Sequence, residues 1–510
     1  MALLSLAACL VLAVVVYRLV LAGKKHGGGG GRRRRLPPSP PGVPLLGHLH
    51  LLGSLPHRAL RSLAAAHGPV VLLRLGRVRA VLVSSAAAAE EVLRARDLAF
   101  ASRPRSAMAE RLLYGRDVAF APYGEYWRQA RRVCVVHLLS ARRVLSFRRV
   151  REQEAAALVG RVRARSAAAV DLGELLVAYA NAVVCRAAFG DESARRLHDG
   201  DRGRAMWKVL TDFQQLLATE PVGELVPWLG WVDALSGLEG KVKRTFEALD
   251  AVLEKVIDDH RRRRPPGGRQ TQDSGDGDDR DFVDVLLDLQ HSSDKECGIQ
   301  LGTTEIKAII LDMFAAGTDT TNTVMEWAMA ELVTHPRCMR RLQDEVRAAV
   351  GAAGAVREEH LAGVRYLRAV VKETLRLHVP VPLLVPREAA ADAEIMGYHV
   401  PAGTRVVINA WAIGRDPAAW EDAEEFVPER FLDGGGGDGK GQDFALLPFG
   451  GGRRGCPGAV FAEASIEMAL ASLVYHFDWK GTASLDMSEL NGLSVHIKSG
   501  LRLVAEPWAP

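Results

Sequence analysis

Phe449-Gly450-Gly451-Gly452-Arg453-Arg454-Gly455-Cys456-Pro457-Gly458 opens directly onto an apolar run with helical period. Glycines on the N-terminal side of this loop let the backbone take positive φ and come close to a flat ligand. Cys456 lies beside an arginine pair and just ahead of the expected helix N-terminus. Both settings favour thiolate over thiol. A lone thiolate held this way suits one axial position on a haem iron, where its electron donation helps cleave an O–O bond. The competing reading is a plain turn cysteine, and the rest of the chain decides between them.

The chain has 510 residues, 48% of them hydrophobic and 25% charged, with a formal net charge of +5. That is ordinary globular composition with room for a very large core. Much of the excess charge sits in runs such as Arg32–Arg35 and Arg261–Arg264. These read as flanking and loop charge, so no nucleic-acid partner is expected. The six cysteines, Cys9, Cys134, Cys185, Cys297, Cys338 and Cys456, are scattered without paired spacing. That argues against a disulfide framework or zinc site and for a reducing compartment.

Ala2 to Ala22 is apolar apart from Arg18, close to the length of a membrane span, and Lys24, Lys25, His26 and Arg32–Arg35 follow it. The positive-inside rule then places the rest of the chain in the cytosol. A cleaved secretory signal is the rival, but its n-region would lack Lys and Arg. Residues 1–23 are therefore expected to be a single-pass anchor. Residues 24–44 form a basic, Gly- and Pro-rich arm, stiffened by Pro37, Pro38, Pro40, Pro41 and Pro44.

Residues 45–510 read as one large domain, mainly α with a small β portion (α+β). Strands are expected at Val70–Leu75 and Arg79–Val83, and mostly helix from Glu90 to Arg263. Long helices follow at about Thr303–Thr334, Pro336–Ala353 and Leu367–Leu377. A mixed strand and loop region covers Val379–Arg405. Arg261–Asp281 and Asp433–Gly441 read as loops.

Four further motifs bear on chemistry. Phe314-Ala315-Ala316-Gly317-Thr318-Asp319-Thr320-Thr321 lies inside a strong helix pattern, where Gly and Thr are expected to kink or widen a turn. Asp319 and Thr320 supply an acid and a hydroxyl suited to relaying protons. Glu373 and Arg376 share a helix face, and Arg430 in Phe426-Val427-Pro428-Glu429-Arg430-Phe431 offers a second arginine for a buried clamp. Trp127 and Arg131 stand one helical turn apart, able to present an indole N–H and a guanidinium to a carboxylate. Each has a bland reading as an ordinary helix face or surface ion pair.

Taken in order along the chain, these motifs resemble a cytochrome P-450, a haem-thiolate monooxygenase, from the proline arm to the C-terminus. Phe449, Gly452, Arg454, Cys456 and Gly458 carry the most specific part. Met396-Gly397-Tyr398 and Pro401-Ala402-Gly403-Thr404 resemble the plant A-type microsomal class. The resemblance implies a cytochrome P-450 fold after an N-terminal transmembrane helix, and haem b as cofactor. It makes Cys456 the axial iron ligand, and Asp319 and Thr320 the pair that protonates iron-bound dioxygen. Trp127, Arg131, Arg454 and Arg387 would contact the haem propionates, with Phe449 beside the haem. Gly317 would mark the point where the helix opens over the iron, and Glu373, Arg376 and Arg430 the structural clamp. Val379 departs from the proline common after the histidine.

The same resemblance implies an endoplasmic-reticulum membrane protein that takes NADPH-derived electrons from a flavoprotein reductase. Arg128, Arg132 and Arg453 are candidate docking residues. It would insert one oxygen atom from O2 into a hydrophobic small molecule, a specialised metabolite or xenobiotic. The pocket is expected from about Phe100–Tyr123, Thr211–Leu217, Leu311–Asp319, Val379–Val385 and Leu493–Val495. The alternative is a reductase-independent isomerase or dehydratase acting on a hydroperoxide or aldoxime. The Asp319–Thr320 pair argues against it, and against a haem sensor or carrier without turnover.

Overall fold

The computed structural model describes residues 34–509 except 167, 199, 264–279, 292–300, 433–443 and 483–484. The expected membrane anchor, the Gly27–Gly31 linker, most of the Arg261–Asp281 loop and the Asp433–Gly441 loop lie outside the described residues.

The strands number β1 to β11 in chain order. They are Val70–Leu75, Val78–Val83, Ala169–Asp171, Arg387–Glu388, Ala393–Ile395, Tyr398–Val400, Arg405–Ile408, Phe477–Gly481, Glu489–Leu490, His496–Ile497 and Arg502–Pro507. β1 and β2 pair antiparallel with Val70 opposite Val83, and β7 joins parallel with Ile408 opposite Val83. β4 closes this sheet in the order β1-β2-β7-β4. The two expected strands thus recruit partners more than 300 residues away, which alternation alone cannot specify. A second sheet runs β3-β11-β8, and β5-β6 and β9-β10 are short antiparallel pairs.

The helices that build the site are α1 Glu125–Arg132, α2 Arg148–Arg165, α3 Leu172–His198, α4 Gly200–Leu217, α5 Leu238–Arg263, α6 Thr303–Thr334, α7 Pro336–Val350, α8 Arg365–Leu377 and α9 Ala459–His476. α6 is buried along most of its length, as a helix apolar on nearly every face must be. α3 packs along it, and α8 and α9 lie on its other sides. α3 is apolar and long enough to cross a membrane, yet it is a core helix, largely buried inside the protein. It bends at Gly190, where φ is +72°.

One expectation about α6 is corrected. The helix runs unbroken through Gly317, without a widened turn. A Cβ on Gly317 would come within 2.9 Å of Val184 Cγ2, so the glycine serves close packing of α3 on α6. Widened, π-type turns occur instead at Glu91–Ala95 and Val133–Leu138.

Candidate active site

The cysteine loop is held by a ring of long-range hydrogen bonds. The Cys456 amide donates to the Phe449 carbonyl at 2.8 Å. Arg131 donates to the Gly455 carbonyl, and Arg387 to that of Gly451 at 2.6 Å. Asp97 pairs with Arg453 at 2.8 Å and also accepts its amide. At Gly452, φ is +62°, and a Cβ there would sit 2.3 Å from the Leu93 carbonyl oxygen. No other residue fits that approach.

The expected source of thiolate stabilisation is corrected. Arg453 turns to Asp97. Arg454 turns to the carbonyls of Ala101 and Ala121, at 2.7 and 2.6 Å. Arg131 is the cation that acts on Cys456. Burial pushes the Cys456 thiol up, against smaller opposing pulls from the Gly458 amide and Arg131. Its side chain is nevertheless accessible. Access together with desolvation is what a group lining an internal recess shows. A metal cation there would reverse the balance, because a coordinating thiol is deprotonated.

Trp127 is also corrected. Its indole N–H donates to the Val118 carbonyl at 3.0 Å, so it secures the loop ahead of α1. The ring carries Arg454, whose guanidinium carbon lies 4.0 Å from its centroid. Arg103, a residue sequence reasoning missed, joins this group. It is buried and donates to the carbonyls of Ala119 and Pro386, at 3.2 and 2.9 Å. An arginine set between Ser102 and Pro104 was the available signal.

Arg103, Arg131, Arg387 and Arg454 converge. Burial depresses all four, Arg387 to about 10 and Arg454 to about 9. Mutual repulsion adds to this at Arg103 and Arg454. Asp97 and Asp117 are the carboxylates that act on them. Four guanidiniums against two carboxylates, next to a recessed thiol, is a donor set that fits a flat, iron-bearing dicarboxylate such as haem.

On α6, Ala316 is exposed although its neighbours Phe314 and Ala315 are buried. Thr320 Oγ1 donates back to the Ala316 carbonyl. Burial alone would raise the Asp319 carboxyl. The His496 ring at 3.1 Å and the Ser494 amide at 3.1 Å outweigh it and leave Asp319 below its ordinary value. His496 escaped the sequence reading because its partners are 170 or more residues away.

The clamp forms as expected. Arg376 makes a two-pronged pair with Glu373, both contacts 2.8 Å, and Arg430 donates to Glu373 at 3.2 Å. Glu373 also accepts the Val427 amide at 2.8 Å, while Arg376 reaches the carbonyls of Gly414 and Ala423, each at 2.7 Å. Charges this deeply buried are tolerated because every one is paired. The clamp braces the segment from 414 to 430 that precedes the cysteine loop.

A small cleft opens between α4 and α6, lined by Leu210, Phe213, Gln214, Phe314, Ala315 and Thr318, with Asn181 from α3. It coincides with two of the expected pocket segments. Val379 is buried in the core beside the first sheet.

Comparison with known proteins agrees with this geometry. The family model for cytochrome P-450 matches residues 37–503. Cytochrome P-450 736A117 of Prunus mume is 47% identical over 480 residues, covering 92% of this chain and 90% of that protein. Cytochrome P-450 71A1 of Persea americana is 47% identical, covering 90% and 91%. Norfluorocurarine oxidase of a Strychnos species is 44% identical, covering 90% of each. A zebra fish cytochrome P-450 solved with progesterone superposes with a TM-score of 0.72 at 25% identity, covering 89% of this chain and 99% of that one. A recessed cysteine in an arginine-ringed glycine loop, the P-450 fold and these relatives converge: the chain belongs to the cytochrome P-450 family and is a haem-thiolate monooxygenase.

Proposed function

We propose that this chain is a membrane-anchored monooxygenase that inserts one atom of O2 into a hydrophobic small molecule, with electrons from NADPH passed on by a flavoprotein reductase. The observation that carries the reading is the joint placement of Cys456 in its recess and of the four arginines around it. In this reading Cys456 would ligate the haem iron through its thiolate, and Arg103, Arg131, Arg387 and Arg454 would hold the haem carboxylates. The bound haem supplies the binding and reductive activation of dioxygen.

The chain's own residues then control substrate, protons and water. Thr320 and Asp319 hold and pass protons toward the oxygen-binding side, one as hydroxyl, the other as carboxylate. Phe213, Phe314, Val379, Leu493 and Val495 furnish an apolar wall that would desolvate a small to medium substrate. The relative named norfluorocurarine oxidase and the neighbour solved with progesterone support that substrate class. Arg128, Arg132 and Arg453 are exposed, as are the apolar Val135, Val136 and Val460. Exposed arginines near exposed apolar side chains suit an acidic reductase. Residues 1–23, with the basic arm to residue 44, would hold the domain on the cytosolic side of the endoplasmic reticulum.

The test is the absorption spectrum of the dithionite-reduced protein with carbon monoxide, then turnover with NADPH and reductase. A strongly red-shifted Soret band that Cys456→Ser abolishes is the expected result. Thr320→Ala should keep that band and divert most NADPH electrons away from product. A band typical of histidine ligation, or unchanged coupling in Thr320→Ala, would overturn the respective assignment.

A further inference from the structure

Asp319, Thr323 and Glu326 occupy positions i, i+4 and i+7 on α6 and so share one face. Into that face projects His496 of β10. Its Nε2 lies 3.1 Å from Asp319 Oδ1, and its Nδ1 lies 3.2 Å from Thr323 Oγ1 and 3.6 Å from Glu326 Oε2. The other Asp319 oxygen accepts the Ser494 amide at 3.1 Å. One turn further along, the Trp327 indole donates to the Val495 carbonyl at 2.8 Å. Residues 494–496 are therefore fastened to α6 at three consecutive points.

We infer that His496 is a positioning residue for the proton relay: by bridging Asp319 to Thr323 and Glu326, it fixes the orientation of the Asp319 carboxylate and couples it to residues 493–495, proposed above as one wall of the substrate pocket. This inference rests on the proposed role of Asp319 and Thr320 in delivering protons. Its physical basis is that both Asp319 oxygens are engaged, one by the imidazole and one by a backbone amide. The carboxylate cannot turn without releasing one of them. Leu493 and Val495 flank the amide it holds, so pressure from a bound substrate on that wall reaches the acid directly.

The electrostatics agree with the geometry. Burial alone would lower the His496 ring, but Asp319 and Glu326 outweigh it and push His496 up to about 10. Those two carboxylates are the charges that α6 turns toward the ring. On the paired strand β9, Glu489 is taken by His57 and Arg58. Lys498 lies in the turn that follows β10. At neutral pH the ring is thus a cation beside Asp319, and it helps hold that carboxyl below its ordinary value.

The test uses haem-loaded wild type, His496→Gln, His496→Arg, Asp319→Asn and the His496→Gln/Asp319→Asn double variant. Each is first checked for an intact reduced carbon-monoxide spectrum. Hydrogen–deuterium exchange over residues 493–497 should quicken about tenfold in His496→Gln. Asp319→Asn should have a similar effect, and the double variant should add little. With 7-ethoxycoumarin as the hydrophobic probe, His496→Gln should lower product formed per NADPH about threefold with little change in KM. His496→Arg, which keeps a cation, should restore more than half of it. Unchanged exchange in His496→Gln would overturn the clamp. Faster exchange with unchanged product per NADPH would reduce His496 to a structural latch and overturn its positioning role. Exchange needs no turnover, so a wild type that binds haem but shows no NADPH-dependent activity would instead overturn the proposed function.

Discussion

Gly452 and Cys456 stand four residues apart in one loop and contribute opposite things to it, an absent side chain and a reactive one. At Gly452 both the left-handed φ and the 2.3 Å approach to the Leu93 carbonyl forbid a Cβ. Gly452→Ala should therefore prevent haem loading, read as loss of the reduced carbon-monoxide band, and lower the melting temperature. Gly455 is more tolerant, since its Cβ would meet the Gly452 carbonyl at 3.3 Å without a positive φ. The motif itself was plain in the sequence. What could not be read there is that Arg453 and Arg454 face away from the sulfur while Arg131, from more than 300 residues upstream, faces it. Side-chain direction in a glycine loop depends on which distant carbonyls and carboxylates are near.

At the scale of elements, α8 and the turn at Pro428–Phe431 are locked through Glu373. Four contacts converge on its buried carboxylate. Glu373→Gln leaves Arg376 and Arg430 without a full counter-charge, at a cost of about 3–5 kcal/mol. Thermal unfolding should fall accordingly, and the fraction of chain recovered with haem should drop sharply. Helix periodicity placed α6, α7 and α8 well, because a 3.6-residue pattern is a local property. The continuity of α6 through Gly317 was misread for an equally local reason. Gly and Thr lower helix propensity, but the helix is buried along most of its length and Gly317 packs closely on Val184, which holds the turns together.

Across the whole molecule, ion pairs join segments at opposite ends of the chain. Glu489, on β9 near the C-terminus, accepts from His57 at 2.9 Å and from Arg58 at 2.6 Å. Burial would raise this carboxyl, but the hydrogen bonds from His57 and Arg58 prevail and hold it at about 2. A depressed carboxyl stabilises the fold above its ordinary value and ceases to do so as pH falls through the folded one. Glu489→Gln should lower the melting temperature by about 3 °C at pH 7. The gap between variant and wild type should close as pH falls from about 4.5 toward 2. A constant gap across that range would show that the effect is packing alone.

The amino-acid sequence alone determined the class of the fold, the periods of the long helices, the cysteine loop and the partners of the clamp. Each of these is written in local spacing or in a short motif whose chemistry needs those residue types. Only the tertiary structure decided which arginines surround the cysteine, that Arg103 is among them, that Trp127 spends its N–H on Val118, and that His496 meets Asp319. Those pairings join residues 9 to 353 positions apart. No periodicity encodes such a distance: it exists only once burial has forced each polar group to find a partner.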